Sequence, residues 1–166
     1  PDAALLYFSP DRLQATARAF QAGVPGLVTY AVKANPGAEV LANLVAAGIT
    51  AFDVASPEEM RAVRSVCPRA VLHYNNPVRS LPEIEVAAQM GVASYSIDCV
   101  RELDKLTGRI APDAEITVRL ALPVRGAAYD FGAKFGVGPD RAEELLRAVA
   151  ERGFTPSMTF HPGTQC

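Results

Sequence analysis

The chain has 166 residues, 49% hydrophobic and 20% charged, with a net charge of −2; that balance excludes disorder and suits a globular protein able to bury a core. Lysines and arginines are scattered, which excludes a nucleic-acid footprint or a patch for anionic membranes, and no apolar run reaches the roughly 18 residues of a bilayer span. Cys67, Cys99 and Cys166 lie in unrelated segments, a pattern of reduced cytoplasmic thiols rather than of a disulfide framework or a metal site.

The chain opens Pro1-Asp2 with no charged-then-apolar leader, so nothing suggests secretion. Leu5 to Phe8 is a short strand candidate. Ser9-Pro10-Asp11 then supplies a cap, a proline at the first helical position and an acid in the first turn of a helix expected to stop at Gly23. Leu27 to Lys33 is predicted as a strand, and Asn35-Pro36 as the start of a helix through Leu41 and Leu44 that closes at Gly48. Ile49 to Val54 repeats the strand. Ser56 and Glu59 form a capping box, in which the serine reaches forward and the acid reaches back, for a helix to about Val66.

Ala70 to Tyr74 is the next strand, and a second capping box, Ser80 with Glu83, opens a helix ending at Gly91. Ala93 to Ile97 follows, with Asp98 expected to cap a helix ending near Gly108. Glu115 to Leu122 is a longer strand. The glycine-rich connection from Pro123 to Gly138 exceeds an ordinary strand-to-helix loop. Pro139-Asp140 opens a helix that carries Leu145, Leu146 and Val149 inward to Gly153, and Ser157 to Phe160 is the last strand. Strand then helix, about every twenty residues, is the signature of parallel α/β structure. The count from Leu27 is about six strands, too few for a closed eight-strand barrel, so the fold is an incomplete (β/α)8 barrel or else an open doubly wound sheet. No G-x-G-x-x-G follows any strand to mark a dinucleotide site.

Side chains alternate along a strand, so parity sorts them by face. Leu27, Thr29, Ala31 and Lys33 share one face, against Val28, Tyr30 and Val32. Ala51, Asp53 and Ala55 oppose Phe52 and Val54. Thr117, Arg119 and Ala121 oppose Ile116, Val118 and Leu120, while Ser157, Thr159 and His161 oppose Met158 and Phe160. Four strands thus show bulky apolar residues placed for helices to cover. The opposite row, small or hydroxylated, leads in each to a polar group at the carboxyl end: Lys33, Asp53, Arg119 or His161. Taken singly, Lys33 reads equally as a charge snorkelling to water, Asp53 with Arg119 as a buried ion pair, His161 as a core histidine and Glu59 as the cap acid alone. Convergence of the first four at one mouth makes a candidate active site, with a partly desolvated Lys33 amine as its nucleophile.

The segments Tyr30-Ala31-Val32-Lys33-Ala34-Asn35-Pro36, Phe52-Asp53-Val54-Ala55-Ser56 with Glu59, Lys134-Phe135-Gly136 and Phe160-His161-Pro162-Gly163-Thr164-Gln165 stand in an order and spacing that resembles the fold-type III, pyridoxal-phosphate-dependent decarboxylases. That group comprises the ornithine/lysine, diaminopimelate and arginine decarboxylases. The resemblance implies an alanine-racemase-like barrel in which Lys33 holds pyridoxal 5'-phosphate as a Schiff base. It also implies that His161 stacks on the ring, Asp53 and Arg119 line the cofactor pocket and Thr164 meets the phosphate. Lys33 and His161 are then catalytic, and no metal is expected. The family usually carries Gly-Ser after the histidine and one further residue, whereas Pro162 here lacks an N–H and Thr164 replaces serine. Arg79 stands where relatives often carry lysine, and Lys134 matches a position that pairs across subunits in some of them.

On this resemblance, residues 1–166 are expected to be a partial cofactor-binding barrel. The phosphate loop, the acid facing the pyridine nitrogen and the β-domain lie beyond Cys166, so the chain alone is expected to be inactive. The parent would be a cytoplasmic homodimer acting on a basic amino acid, ornithine or lysine first. The alternatives are a diaminopimelate decarboxylase, a racemase or carrier protein using the same cofactor, and a non-catalytic regulator like the antizyme inhibitors.

Overall fold

The computed structural model describes residue 4 and residues 7–122 and 134–162. Within them strands and helices alternate: α1 (Pro10–Gly23), β1 (Tyr30–Ala31), α2 (Ala38–Ala46), β2 (Ala51–Val54), α3 (Pro57–Val66), β3 (Val71–Tyr74), α4 (Leu81–Gln89), β4 (Ser94–Ile97), α5 (Val100–Leu106), β5 (Glu115–Leu120), α6 (Pro139–Glu151) and β6 (Thr155–Phe160). Ser9 Oγ accepts from Arg12 N–H at the start of α1. The Ser80–Glu83 capping box at α4 is complete in both directions. Gly48, Gly91 and Gly153 carry positive φ just after their helices, where a left-handed residue closes the last turn.

Four expected starts differ. Leu5 and Leu6 lie outside the described residues, while Tyr7 and Phe8 are exposed and form no strand. α2 begins two residues later than Asn35-Pro36 predicts, because the Asn35 side chain accepts from Gly37 N–H and leaves Gly37 at the cap. Glu59 reaches back past Ser56 to Ala55 N–H at 2.8 Å, so the box at α3 is half formed. Asp98 does not cap α5, whose N-cap is Cys99.

The sheet runs β1-β2-β3-β4-β5-β6 and every neighbouring pair is parallel. A doubly wound sheet must reverse its strand order somewhere to put helices on both faces. Here the order never reverses, so the connections wind one way, as in a barrel wall. Phe52, Val54, Leu72, Tyr74, Tyr95, Ile97, Ile116 and Val118 are essentially inaccessible to water and share one core with Leu41, Met60, Ile84, Leu103 and Val149 of the helices. The opposite row of each strand turns to the concave side, as parity requires.

β6 departs from expectation. Met158 and Phe160 are more than half exposed rather than packed beneath a helix. Among the described residues β6 is the last strand, paired with β5 alone, and no helix follows it to cover that row.

Candidate active site

Lys33, Asp53, Arg119 and His161 all line one cavity of about 600 Å³ at the carboxyl ends of the strands. Parallel pairing brings them there, since every strand points the same way and each carries its polar residue within two positions of its last ladder pair. Thr164 lies outside the described residues.

Lys33 reaches the mouth by a different backbone from the one predicted. The strand stops at Ala31, and Val32–Ala34 form one 3-10 turn. Val32 is fully buried in the core and anchors that turn, while Lys33, on its other side, is exposed. The partial desolvation expected of the amine is therefore not provided by the described residues. Among the described residues β1 is an edge strand, paired with β2 alone.

Asp53 sits lower, between Ala31 and His73 in register. Burial pushes its carboxyl above the ordinary value of 3.8. The Asn75 side chain and then the charges of Lys33, His73 and Arg119 pull it back in part. The His161 imidazole is held below its usual 6.5, first by burial and then by the positive charges of Arg119 and Lys33. The Arg119 guanidinium lies over the Phe135 ring, with its carbon 5.5 Å from the centroid, a cation–π arrangement. Lys134 Nζ is 5.5 Å from the same ring.

The cavity also takes in Glu59, Asn75, Asn76 and Ser96, none of which parity and strand-end position had marked. Glu59 combines two roles, since its carboxylate binds Ala55 N–H at the first turn of α3 and also faces the cavity. Asn75 and Asn76 follow β3 directly, and that position was the available signal. Arg79 is not at the mouth. It is 2% exposed in the connection from β3 to α4, where its guanidinium donates to the carbonyls of Ser96 and Asn76 and stacks over Tyr74 and Tyr95. Among the described residues no group of three or more His, Cys, Asp or Glu is placed to hold a metal, and no helix is long and apolar enough to cross a membrane.

Residues 10–166 match the family described as pyridoxal-dependent decarboxylase, pyridoxal binding domain. The chain is 34% identical over 140 residues to the lysine/ornithine decarboxylase of Selenomonas ruminantium, an alignment covering 83% of this chain and 35% of that protein. Among solved structures it superposes on SrLDC in complex with PLP and cadaverine with a TM-score of 0.84 at 30% identity, over 100% of this chain and 42% of that one. The lysine/ornithine decarboxylase of Vibrio vulnificus complexed with putrescine gives a TM-score of 0.78 at 26% identity, over 95% and 41%. The chain spans about a third of the length of the curated relatives it matches.

Proposed function

Because the chain belongs to the pyridoxal-dependent decarboxylases through their pyridoxal-binding domain, we propose that it forms the cofactor-holding wall of an enzyme that decarboxylates a basic amino acid, ornithine or lysine first. The observation that carries this reading is the meeting of Lys33, Asp53, Arg119 and His161 around one cavity. Relatives named for lysine and ornithine, and structures holding the diamines cadaverine and putrescine, support the substrate class.

The residues present fit pyridoxal phosphate. A volume of about 600 Å³ is within the range of small-molecule sites. Lys33 offers the amine that would hold the aldehyde carbon. Arg119 and Lys134 supply positive charge for a phosphate ester, and His161, biased towards its neutral form, offers a flat face to an aromatic ring. When bound, the cofactor supplies an electron sink for the pair left on Cα as the carboxylate departs.

The chain's own part is to bind, orient and move protons. Asp53, its carboxyl raised by burial beside the Lys33 charge, holds or releases a proton at its carboxylate oxygen as the lysine is engaged and freed. Glu59 is fixed by the Ala55 N–H and presents a second carboxylate to a cationic substrate group. On the same reading the parent enzyme is a cytoplasmic homodimer, residues 1–166 are part of its barrel, and this chain alone turns over little or no substrate.

The test is borohydride reduction of the protein with pyridoxal phosphate, followed by peptide mass mapping. A pyridoxyl adduct on Lys33 that disappears in Lys33→Ala is expected. An adduct that persists in that variant, or none at all, rejects the assignment. Product analysis of the parent enzyme separates the chemistries, since carbon dioxide and a diamine mean decarboxylation and an epimer with its carboxylate intact means racemisation.

A further inference from the structure

β4 stops early beside Arg119. Its last partner on β5 is Val118, opposite Ile97. Successive residues of a parallel strand send their N–H and C=O to alternate neighbours. Glu115 N–H donates to Ala93 on the β4 side, so Arg119 and Ala121 face that side too, where β4 has already turned away. Val137 fills the gap. Its N–H donates to Arg119 O at 3.0 Å and its C=O accepts from Ala121 N–H at 2.8 Å, a one-residue parallel bridge to Leu120.

The segment bearing Val137 is fastened by the first residue after β4. Asp98 Oδ2 accepts from Gly136 N–H at 3.3 Å, and α5 starts without any side-chain cap. Gly136 has φ +105, and a Cβ there would stand 2.9 Å from Ala121 N, so only glycine passes this close to β5. The next residue back is Phe135, whose ring lies under the Arg119 guanidinium.

We propose that Asp98 is a positioning residue for Arg119, acting by pinning Gly136 in the gap that β4 leaves and thereby holding the Phe135 ring against the guanidinium. Asp98 does not itself line the cavity. Its effect reaches the site through its own side-chain bond to Gly136 N–H, two backbone–backbone hydrogen bonds and one ring. The inference deepens that reading, because Arg119 matters to catalysis only if the cavity takes the phosphate ester.

The experiment compares the chain with Asp98→Ala, Asp98→Asn and Phe135→Leu by amide hydrogen exchange and by the Arg119 Nε–H resonance, without cofactor. In Asp98→Ala, exchange at Gly136 and Val137 accelerates about ten- to hundredfold, as expected on losing a hydrogen bond to a charged acceptor. The Arg119 resonance moves to the position it takes in Phe135→Leu. Asp98→Asn retains an accepting oxygen and stays within about threefold of the parent. If Asp98→Ala does not fold, Asp98→Glu keeps the charge but displaces the acceptor, and the same two readings apply. Unchanged exchange and resonance in the folded variant, or Asn behaving like Ala, overturns the proposal. Neither measurement involves Lys33, so absence of a pyridoxyl adduct from the unsubstituted chain, or its persistence in Lys33→Ala, counts against the functional reading and not against this one.

Discussion

Asp53 and His73 stand opposite one another in register across β2 and β3, and His73 Nδ1 lies 2.7 Å from Ser94 Oγ on β4. Three adjacent strands therefore place polar side chains side by side on the concave face, directly beneath the mouth. Ser96, at the next inward position of β4, lines the cavity itself. The charge state of that floor follows from burial and from the neighbours named above.

Asp53 is the first case. Folding favours its protonated form, because burial raises its carboxyl. The stabilisation linked to that proton is complete below the ordinary carboxylate value and is lost as pH rises through the raised folded value. Asp53→Asn is therefore expected to be more stable than the parent at pH 7, with the difference closing towards pH 3. Urea denaturation at a series of pH values checks this, and a less stable variant at neutral pH would count against it. Asn75→Ala should raise the Asp53 titration midpoint further in carboxyl NMR.

His161 has the opposite sign. Its folded value lies below 6.5, so its contribution is present above the unfolded value and is lost as pH falls through the folded one. Imidazole titration by NMR should give a midpoint below 6.5. Arg119→Met should move it upwards by removing one of the two nearby charges, and an unmoved midpoint would show that the guanidinium is not the cause.

Arg79 governs stability rather than chemistry. Its guanidinium joins the ends of β3 and β4 by donating to Asn76 and Ser96 carbonyls, and its own carbonyl accepts from Lys105. Burial pushes the hydroxyls of Tyr74 and Tyr95, whose rings both lie against it, up to about 12. Arg79→Ala leaves a void and two unsatisfied carbonyls, and should cost roughly 3 kcal/mol or more. Arg79→Lys keeps charge but not the planar fork, so equilibrium unfolding should place it between the parent and Ala.

Val32 ties the core to the turn that carries Lys33. Truncating this fully buried side chain to alanine should cost roughly 2 kcal/mol. It should also loosen the 3-10 turn, so amide exchange at Lys33 and Ala34 should accelerate more than exchange in β3. Uniform acceleration would mean that Val32 only adds to global stability.

Much of the fold is legible in the residues because its cues are local. The caps Ser9 and Ser80 and the closing glycines Gly48, Gly91 and Gly153 act within one or two turns, and alternation along β2, β5 and β6 sorts inward from outward side chains. With all strands parallel, those cues suffice to send Asp53, Arg119 and His161 to a common end, where Lys33 joins them from its 3-10 turn. They do not show where Asp98 spends its carboxylate, since its partner Gly136 is distant in the chain. Nor do they show that Arg79 is buried or that Asn75 meets Asp53.

The sequence by itself determined the α/β alternation and the four polar residues at the strand ends, because periodicity and capping are written in neighbouring residues. Only tertiary structure decided the single-direction strand order, the 3-10 turn that leaves Lys33 exposed, and the Val137 bridge beside Arg119. Those depend on which backbone groups find a partner across the sheet: among the described residues β1 has one neighbour rather than two, and β4 ends before β5 does.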